Sequence, residues 1–193
     1  ADINMMGAAE TVSQLEAFGG QGFAIETDVS SKEQTDNMVK AAMDHFGHVD
    51  ILVTSAAVLE EIPMQDITVE QWDIIIDVTL NGVLYSAQSA MKVMKEQGHG
   101  KVVIISSIAA FRGRAGQQAY CAAEGALTGL TANLAVQMGE YGICVNSIAP
   151  GIIDTHFAES LKDNPDYREF RRSHTLHIPV MRNHSSGELE TAC

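Results

Sequence analysis

The sequence has few basic residues. Only 12 of its 193 residues are Lys or Arg, against 25 Asp and Glu, and the formal net charge is -13. Nucleic acids and anionic membranes attract proteins through basic faces, so we expect neither as a partner. No run approaches the ~20 apolar residues of a membrane-spanning helix. Because 46% of the residues are hydrophobic, the chain can bury a core, and we expect one globular domain over residues 1–193.

Cysteine is also scarce. Cys121, Cys144 and Cys193 lie far apart and lack the spacing of a zinc site. The first ten residues, ADINMMGAAE, have neither the basic nor the apolar region of a secretory signal. These features predict reduced thiols, no metal site and a cytoplasmic location.

Short apolar runs alternate with longer segments of helical periodicity. The strand-like runs are FAIET (23–27), VDILVTS (49–55), KVVIIS (101–106) and ICVNSIA (143–149). The helical segments are 7–20, 30–47, about 69–95 and about 117–140. Continuous apolar strands that alternate with helices are typical of a parallel sheet covered on both faces. The sequence therefore predicts a doubly wound α/β fold.

Small or acidic residues follow each predicted strand. In doubly wound sheets, ligands bind at the carboxyl ends of the strands, where small residues let a flat ligand approach the backbone. Asp2 stands where a still earlier strand would end. The residues that follow the other strands are Asp28, Val29, Thr54, Ser55, Ala56, Ala57, Ser106, Ser107, Pro150 and Gly151. We expect them to line one ligand crevice.

Five segments in a fixed order resemble the short-chain dehydrogenases and reductases. They are TDVS, VDILV with its small-residue tetrapeptide, IISS, a tyrosine thirteen residues after Ser107, and VNSIAPGIIDT. The resemblance covers nearly the whole chain. It implies a Rossmann-like sheet that lacks the family's first strand–helix unit and its last strand, and a homo-dimer or homo-tetramer. The implied activity is an NAD-dependent oxidoreductase that interconverts a secondary alcohol and its ketone by hydride transfer, with a polyol or sugar-derived compound as the candidate substrate.

The resemblance also implies roles for individual residues. Ser107 would hold the substrate oxygen, and Tyr120 would pass a proton to or from it. Asp28 would accept from the adenine amino group, and Asp2 would accept from the ribose hydroxyls and repel a 2′-phosphate, which favours NAD over NADP. The segment 152–180 would cover the substrate. The expected cofactor-binding residues are Asp2, Asp28, Val29, Ser55, Ala56, Ala57, Pro150, Gly151, Ile153 and Thr155.

Two positions depart from the family pattern. Glu124 stands where the family has a lysine, and Thr79 stands where it has a catalytic asparagine. An anion beside Tyr120 raises the pKa of its hydroxyl, whereas a cation lowers it. Glu124 retains the ability to accept from ribose hydroxyls. The alternative to an enzyme is therefore a non-catalytic nucleotide-binding or oligomer-forming subunit derived from the same family.

Overall fold

The computed structural model describes residues 1–151 and residue 153. The chain divides into two compact units, Ala1–Ala149 and Pro150–Cys193. The first unit carries every helix and strand given below. Of the second, only Pro150, Gly151 and Ile153 are described.

Three parallel strands form the sheet of the first unit. They are β1 (Ile51–Thr54), β2 (Gly100–Ile105) and β3 (Ile143–Ile148), side by side in the order β1-β2-β3. The pairing sets Val53 opposite Val103, and Val102 opposite Val145. The parallel α/β sheet predicted from the apolar runs is confirmed.

The run FAIET does not form the strand that we predicted. Glu26 instead makes an isolated parallel bridge with Asp2. The bridge is held by the Asp2 N–H donating to Ile25 O at 3.2 Å and the Thr27 N–H donating to Asp2 O at 3.0 Å. Among the described residues, these two hydrogen bonds are the only strand-like pairing of the run, and they lie on one side of it. Regular strand pairing therefore does not extend along the run.

Five α-helices surround the strands in the first unit. They are α1 (Met5–Ala17), α2 (Lys32–Phe46), α3 (Val69–Ile76), α4 (Gly82–Gln97) and α5 (Gln118–Met138). Local signals in the sequence set their ends: the Ser31 hydroxyl accepts from Gln34 N at the start of α2, and Gly47 ends that helix with a φ of 80°. Thr68 and Gln71 form a capping box at the start of α3. None of the helices in this part of the chain combines the length and hydropathy of a bilayer span.

The core lies between the sheet and α4. Ala87, Ala90 and Met94 of α4 are fully buried, as are Val102 and Ile104 of β2, and all five belong to one apolar cluster. The alanines let the helix approach the sheet closely, so that it covers the strands that carry the site. On the other side of β1, Ile51 and Val53 remain 59% and 57% exposed.

A π-helical turn interrupts the long helix predicted over 69–95. It spans Asp77–Asn81, between α3 and α4, and it carries the buried Thr79. Gly82 follows at a close approach: a Cβ added there would lie 2.6 Å from Val29 Cγ2. Any larger residue at position 82 would therefore push α4 away from the loop that begins at Asp28. The extra residue of a π turn is typical of functional sites.

An ion-pair cluster joins the beginnings of β1 and β2. The Asp50 carboxylate binds His48 Nδ1 and His99 Nε2, each at 2.9 Å. Asp50 O also accepts from the Lys101 N–H at 2.8 Å. The hydrogen bond to Asp50 raises the pKa of His99, and His99 in turn lowers the pKa of Asp50.

We expect this cluster to make stability depend on pH. A histidine whose pKa is higher in the folded state contributes stability that is complete below its unfolded pKa of 6.5. That contribution is lost as the pH rises through the raised value. His99→Gln should therefore flatten the fall in unfolding free energy across this interval, by a small amount because the groups are exposed. Urea unfolding of the parent and the variant at several pH values checks this, and Asp50→Asn should flatten the curve in the same way. Parallel curves for parent and variants would contradict the assignment.

Candidate active site

Ser107 and Tyr120 meet at the carboxyl end of β2. Ser106 and Ser107 follow the last residue of β2, and the Ser107 hydroxyl accepts from Ala109 N at 3.1 Å, capping a 3₁₀ turn over Ile108–Ala110. That turn packs against α5, whose first turn carries Tyr120. The side chain of Ser107 lies close enough to that of Tyr120 to lower the pKa of its hydroxyl. The structure thus brings together the two residues predicted to act on the substrate oxygen.

The loop after β1 holds the beginning of α5 in place. Glu61 pairs with Arg114 and accepts from Gln117 Nε2 at 3.1 Å. Ile62 O accepts from Gln118 Nε2 at 3.0 Å. Both side chains of the Glu61–Arg114 pair are 20% exposed, so the pair is only partly screened by solvent. These residues position the helix that carries Tyr120. We did not predict this role, because two isolated charges 53 positions apart give no local pattern.

Tyr120 is buried beside Glu124. Only 7% of Tyr120 is exposed, and its hydroxyl interacts with the side chains of Ser107 and Glu124. Burial raises the pKa of Tyr120 most, the charge of Glu124 raises it further, and Ser107 lowers it. The raised pKa of Tyr120 agrees with the expectation that an anion at position 124 would raise it. Burial, which is the larger cause, was not part of that expectation. At neutral pH, Tyr120 is therefore a neutral phenol.

Glu124 is a buried carboxyl group without a hydrogen-bond partner at one oxygen. It is 1% exposed, and Oε2 has no hydrogen-bond partner among the described residues. Burial raises its pKa, while Ser106 and Tyr120 lower it. Ser106 lies close enough to act on this pKa, yet its Oγ completes no hydrogen bond of normal geometry within the described part of the chain. The charged form of Glu124 is therefore poorly stabilised.

Thr79 holds the loop after β1. It is 1% exposed, and its hydroxyl accepts from the Val58 N–H at 3.2 Å. Asn81, two residues on, donates instead to Asp77 Oδ1 at 2.8 Å on the surface. The structure therefore places Thr79 where it can position the loop, and it turns the nearby asparagine away.

Asp2 and Asp28 lie on adjacent segments joined by the Asp2–Glu26 bridge. Asp2 is exposed, and its Oδ1 accepts from Asn4 N at 2.8 Å. Asp28 Oδ1 accepts from the N–H and the hydroxyl of Ser30, at 2.9 and 2.6 Å. Both carboxylates are oriented by bonds to residues two positions on. Their assignment to cofactor binding remains a prediction.

The remaining predicted residues fall into three groups. Ser55 and Ala56 are exposed directly after β1, and Ala57 is half-buried. Pro150, Gly151 and Ile153 belong to the second compact unit. Thr155 and, apart from Ile153, the predicted covering segment 152–180 lie outside the described residues. No group of three metal-ligating side chains occurs in the part of the chain that the structure describes.

Comparison with known proteins identifies the family. The family model described as enoyl-(acyl carrier protein) reductase, a model of short-chain dehydrogenases and reductases, matches residues 1–193. The chain belongs to the short-chain dehydrogenase/reductase family. Its resemblance to that family, read from five sequence segments, is thereby confirmed, as is its Rossmann-like sheet.

Three similar proteins illustrate the range of this short-chain dehydrogenase/reductase family. The 3-oxoacyl-(acyl-carrier-protein) reductase of Synechocystis sp. is 31% identical over 82% of this chain and 64% of its own length. The (2S)-((R)-hydroxy(phenyl)methyl)succinyl-CoA dehydrogenase subunit BbsD of Thauera aromatica is 35% identical over 84% and 65%. A gluconate 5-dehydrogenase from Burkholderia cenocepacia, solved with NADP and tartrate, has a TM-score of 0.89 at 26% identity, over 99% of this chain and 74% of its own. The chain thus spans under two thirds of the length of the two curated relatives.

We expect Glu124 to make unfolding depend on pH. Between the ordinary glutamate pKa of 4.5 and the raised value, the folded protein keeps a proton that the unfolded chain has released. The unfolding free energy therefore falls as the pH rises through this interval. Glu124→Gln should abolish the fall and leave the variant about 1–3 kcal/mol more stable than the parent at higher pH.

Chemical denaturation followed by circular dichroism across pH measures the difference. Glu140→Gln is the matched control, because Glu140 is exposed and should leave the curve unchanged. An unaltered pH dependence in Glu124→Gln would show that Glu124 does not titrate abnormally.

Proposed function

We propose that this protein is an NAD-dependent oxidoreductase that interconverts a secondary alcohol and its ketone. The observation that carries the proposal is the pair of the half-buried Ser107 and the buried Tyr120 at the carboxyl end of β2, where Ser107 lowers the pKa of Tyr120. Family membership supports the oxidoreductase class. A bound nicotinamide cofactor would supply or accept the hydride.

The chain's own residues would bind the substrate oxygen and move its proton. The Ser107 hydroxyl would hold the oxygen, and Tyr120 would donate its proton to it. Because the pKa of Tyr120 is raised, the residue holds its proton near neutral pH and is present in the form that can donate it. We therefore propose that ketone reduction is the favoured direction.

The described residues fit a dinucleotide. Small side chains follow β1 at Ser55 and Ala56, which leaves the backbone open to a flat group. Glu124 Oε2, buried and without a hydrogen-bond partner among the described residues, fits the hydroxyl groups of a ribose as donors. Asp2 and Asp28 would hold the adenosine side. We propose Val29, Ala57, Pro150, Gly151, Ile153 and Thr155 as the remaining cofactor-binding residues.

The substrate class is proposed from one neighbour. The gluconate 5-dehydrogenase of similar fold was solved with tartrate, a small hydroxy acid, which supports a polyol or sugar-derived substrate. The reductase from Synechocystis is named for an acyl-carrier-protein substrate, so comparing a sugar ketone with a 3-oxoacyl thioester would test this choice. A cytoplasmic location and a homo-dimer or homo-tetramer complete the proposal.

A non-catalytic subunit remains the second candidate. Glu124 in place of the family's lysine is the observation that favours it, because burial and the carboxylate both oppose formation of a phenolate at Tyr120. One relative is itself named as a dehydrogenase subunit. Such a subunit would bind NADH without turnover.

Removal of the Tyr120 hydroxyl should separate ketone reduction from NADH binding. In the full-length protein, Tyr120→Phe should lower the rate of ketone reduction by about 10²–10⁴-fold while NADH binding persists. Tyr141→Phe is the matched control, since it removes a hydroxyl but keeps the aromatic ring that Lys95 contacts at 3.8 Å. NADH oxidation measures the rate. If the parent binds NADH yet reduces no ketone or thioester, the subunit interpretation replaces the enzyme.

Asp2 should decide cofactor preference. One neighbour was solved with NADP, so the NAD preference of this chain depends on the proposed repulsion between the Asp2 carboxylate and a 2′-phosphate. In the full-length protein, NADH should bind more tightly than NADPH by on the order of tenfold, about 1.4 kcal/mol. Asp2→Asn should reduce the difference between the NADH and NADPH affinities. Glu16→Gln, at an exposed position on α1, should leave that difference unchanged. Fluorescence titration with both cofactors measures it, and equal affinities in the parent would remove Asp2 from the site.

A further inference from the structure

Two titratable side chains, Tyr120 and Glu124, lie in the buried part of the site. They are 7% and 1% exposed. Ser107 acts on the pKa of Tyr120, and Ser106 acts on the pKa of Glu124. Glu124 lies one helical turn after Tyr120 on α5, so both side chains project from the same face of the helix. The phenol and the carboxyl group are therefore buried neighbours, which is the arrangement that a direct proton transfer between them requires.

No cation balances Glu124 within the described residues. Its pKa is raised by burial and lowered only by the neutral hydroxyl groups of Ser106 and Tyr120. The helices, turns and strand packed against α5 carry no basic group. Arg114, in the loop before α5, pairs with Glu61, and it is not among the groups that act on the pKa of Glu124. The titratable side chains on those packed elements are Glu70, Asp73, Asp77, Glu140, Tyr141 and Cys144. On α5 itself, Cys121 is the one titratable side chain besides Tyr120 and Glu124. The protonated carboxyl group is therefore the favoured form of Glu124 over a wider pH range than that of an exposed glutamate.

We propose that Glu124 is the proton reservoir of Tyr120. This inference rests on the proposed function. During ketone reduction, the Tyr120 O–H bond breaks as its proton moves to the substrate oxygen, and the Glu124 carboxyl proton moves to the Tyr120 oxygen. Glu124 is left as a carboxylate, which is then reprotonated from solvent. In alcohol oxidation both protons move in the opposite direction, with Glu124 as the acceptor.

In this arrangement a second acid, Glu124, takes the place of a cation beside Tyr120. A cation beside the tyrosine stabilises a phenolate, whereas a carboxyl group in contact with it replaces the proton as it leaves, so no free phenolate has to form. The charge then rests on a carboxylate, which is the weaker base of the two. Burial raises the pKa of Glu124 more than Ser106 lowers it, so this carboxylate remains the less favoured form at rest.

The first experiment asks whether Glu124 holds a proton. Infrared spectra of the full-length protein across pH should show a protonated-carboxyl band that persists above the pH at which ordinary glutamates ionise. The band should vanish in Glu124→Gln and remain in Glu140→Gln, which alters an exposed glutamate. A band that is the same in parent and Glu124→Gln would overturn the proposal.

The second experiment asks whether that proton is used. The rate of ketone reduction with NADH should fall as the pH rises through the same value at which the infrared band is lost. In Glu124→Gln, the rate at low pH should drop by about 100-fold, and the decline with pH should disappear. Glu124→Asp keeps a carboxyl group and should retain the decline at a reduced rate.

The outcomes separate this inference from the proposed function. A Glu124→Gln variant with the parent's rate and pH profile would overturn the proton reservoir and leave the oxidoreductase standing. A parent that binds NADH, reduces no ketone or thioester, and still shows the carboxyl band would overturn both.

Discussion

The site depends on the burial of a carboxyl group with no counter-charge in the described structure. Glu124 sits on the inner face of α5, directly behind Tyr120, and Oε2 lacks a hydrogen-bond partner among the described residues. Burying a carboxylate without a counter-charge costs free energy, so the neutral forms of Glu124 and Tyr120 are favoured over their charged forms. Burial raises the pKa values of both groups, and the charge of Glu124 raises that of Tyr120 further.

The rest of the first unit supplies the geometry that this constraint requires. Alanines on α4 bring that helix onto the sheet, and the parallel register carries the ends of β1 and β2 to the same edge. The short turn after β2 then delivers Ser107 to the first turn of α5. The packing of α4 on the sheet is apolar, and the pairing of the strands is made by the backbone. Polar side chains complete the framework at the beginning of α5.

Much of this arrangement could be predicted because it depends on patterns local in sequence. Apolar runs predicted β1, β2 and β3, and the family resemblance implied that Ser107 and Tyr120 act on the same substrate oxygen. The π turn at Asp77–Asn81 was missed because no proline or glycine lies inside it. The Glu61–Arg114 pair and the burial of Tyr120 were missed because both are consequences of tertiary packing. The run FAIET has strand composition, but among the described residues its only strand-like backbone pairing is the bridge between Glu26 and Asp2.

The contacts of Glu61 and Ile62 join the loop after β1 to the beginning of α5. The loop after β1 and the first turn of α5 are tied by an ion pair and two side-chain hydrogen bonds. The same loop is tied to the π turn through Thr79. A contact that orders the loop therefore also restrains the first turn of α5, which carries Tyr120. We expect a ligand that touches only the loop to restrict the beginning of this helix as well.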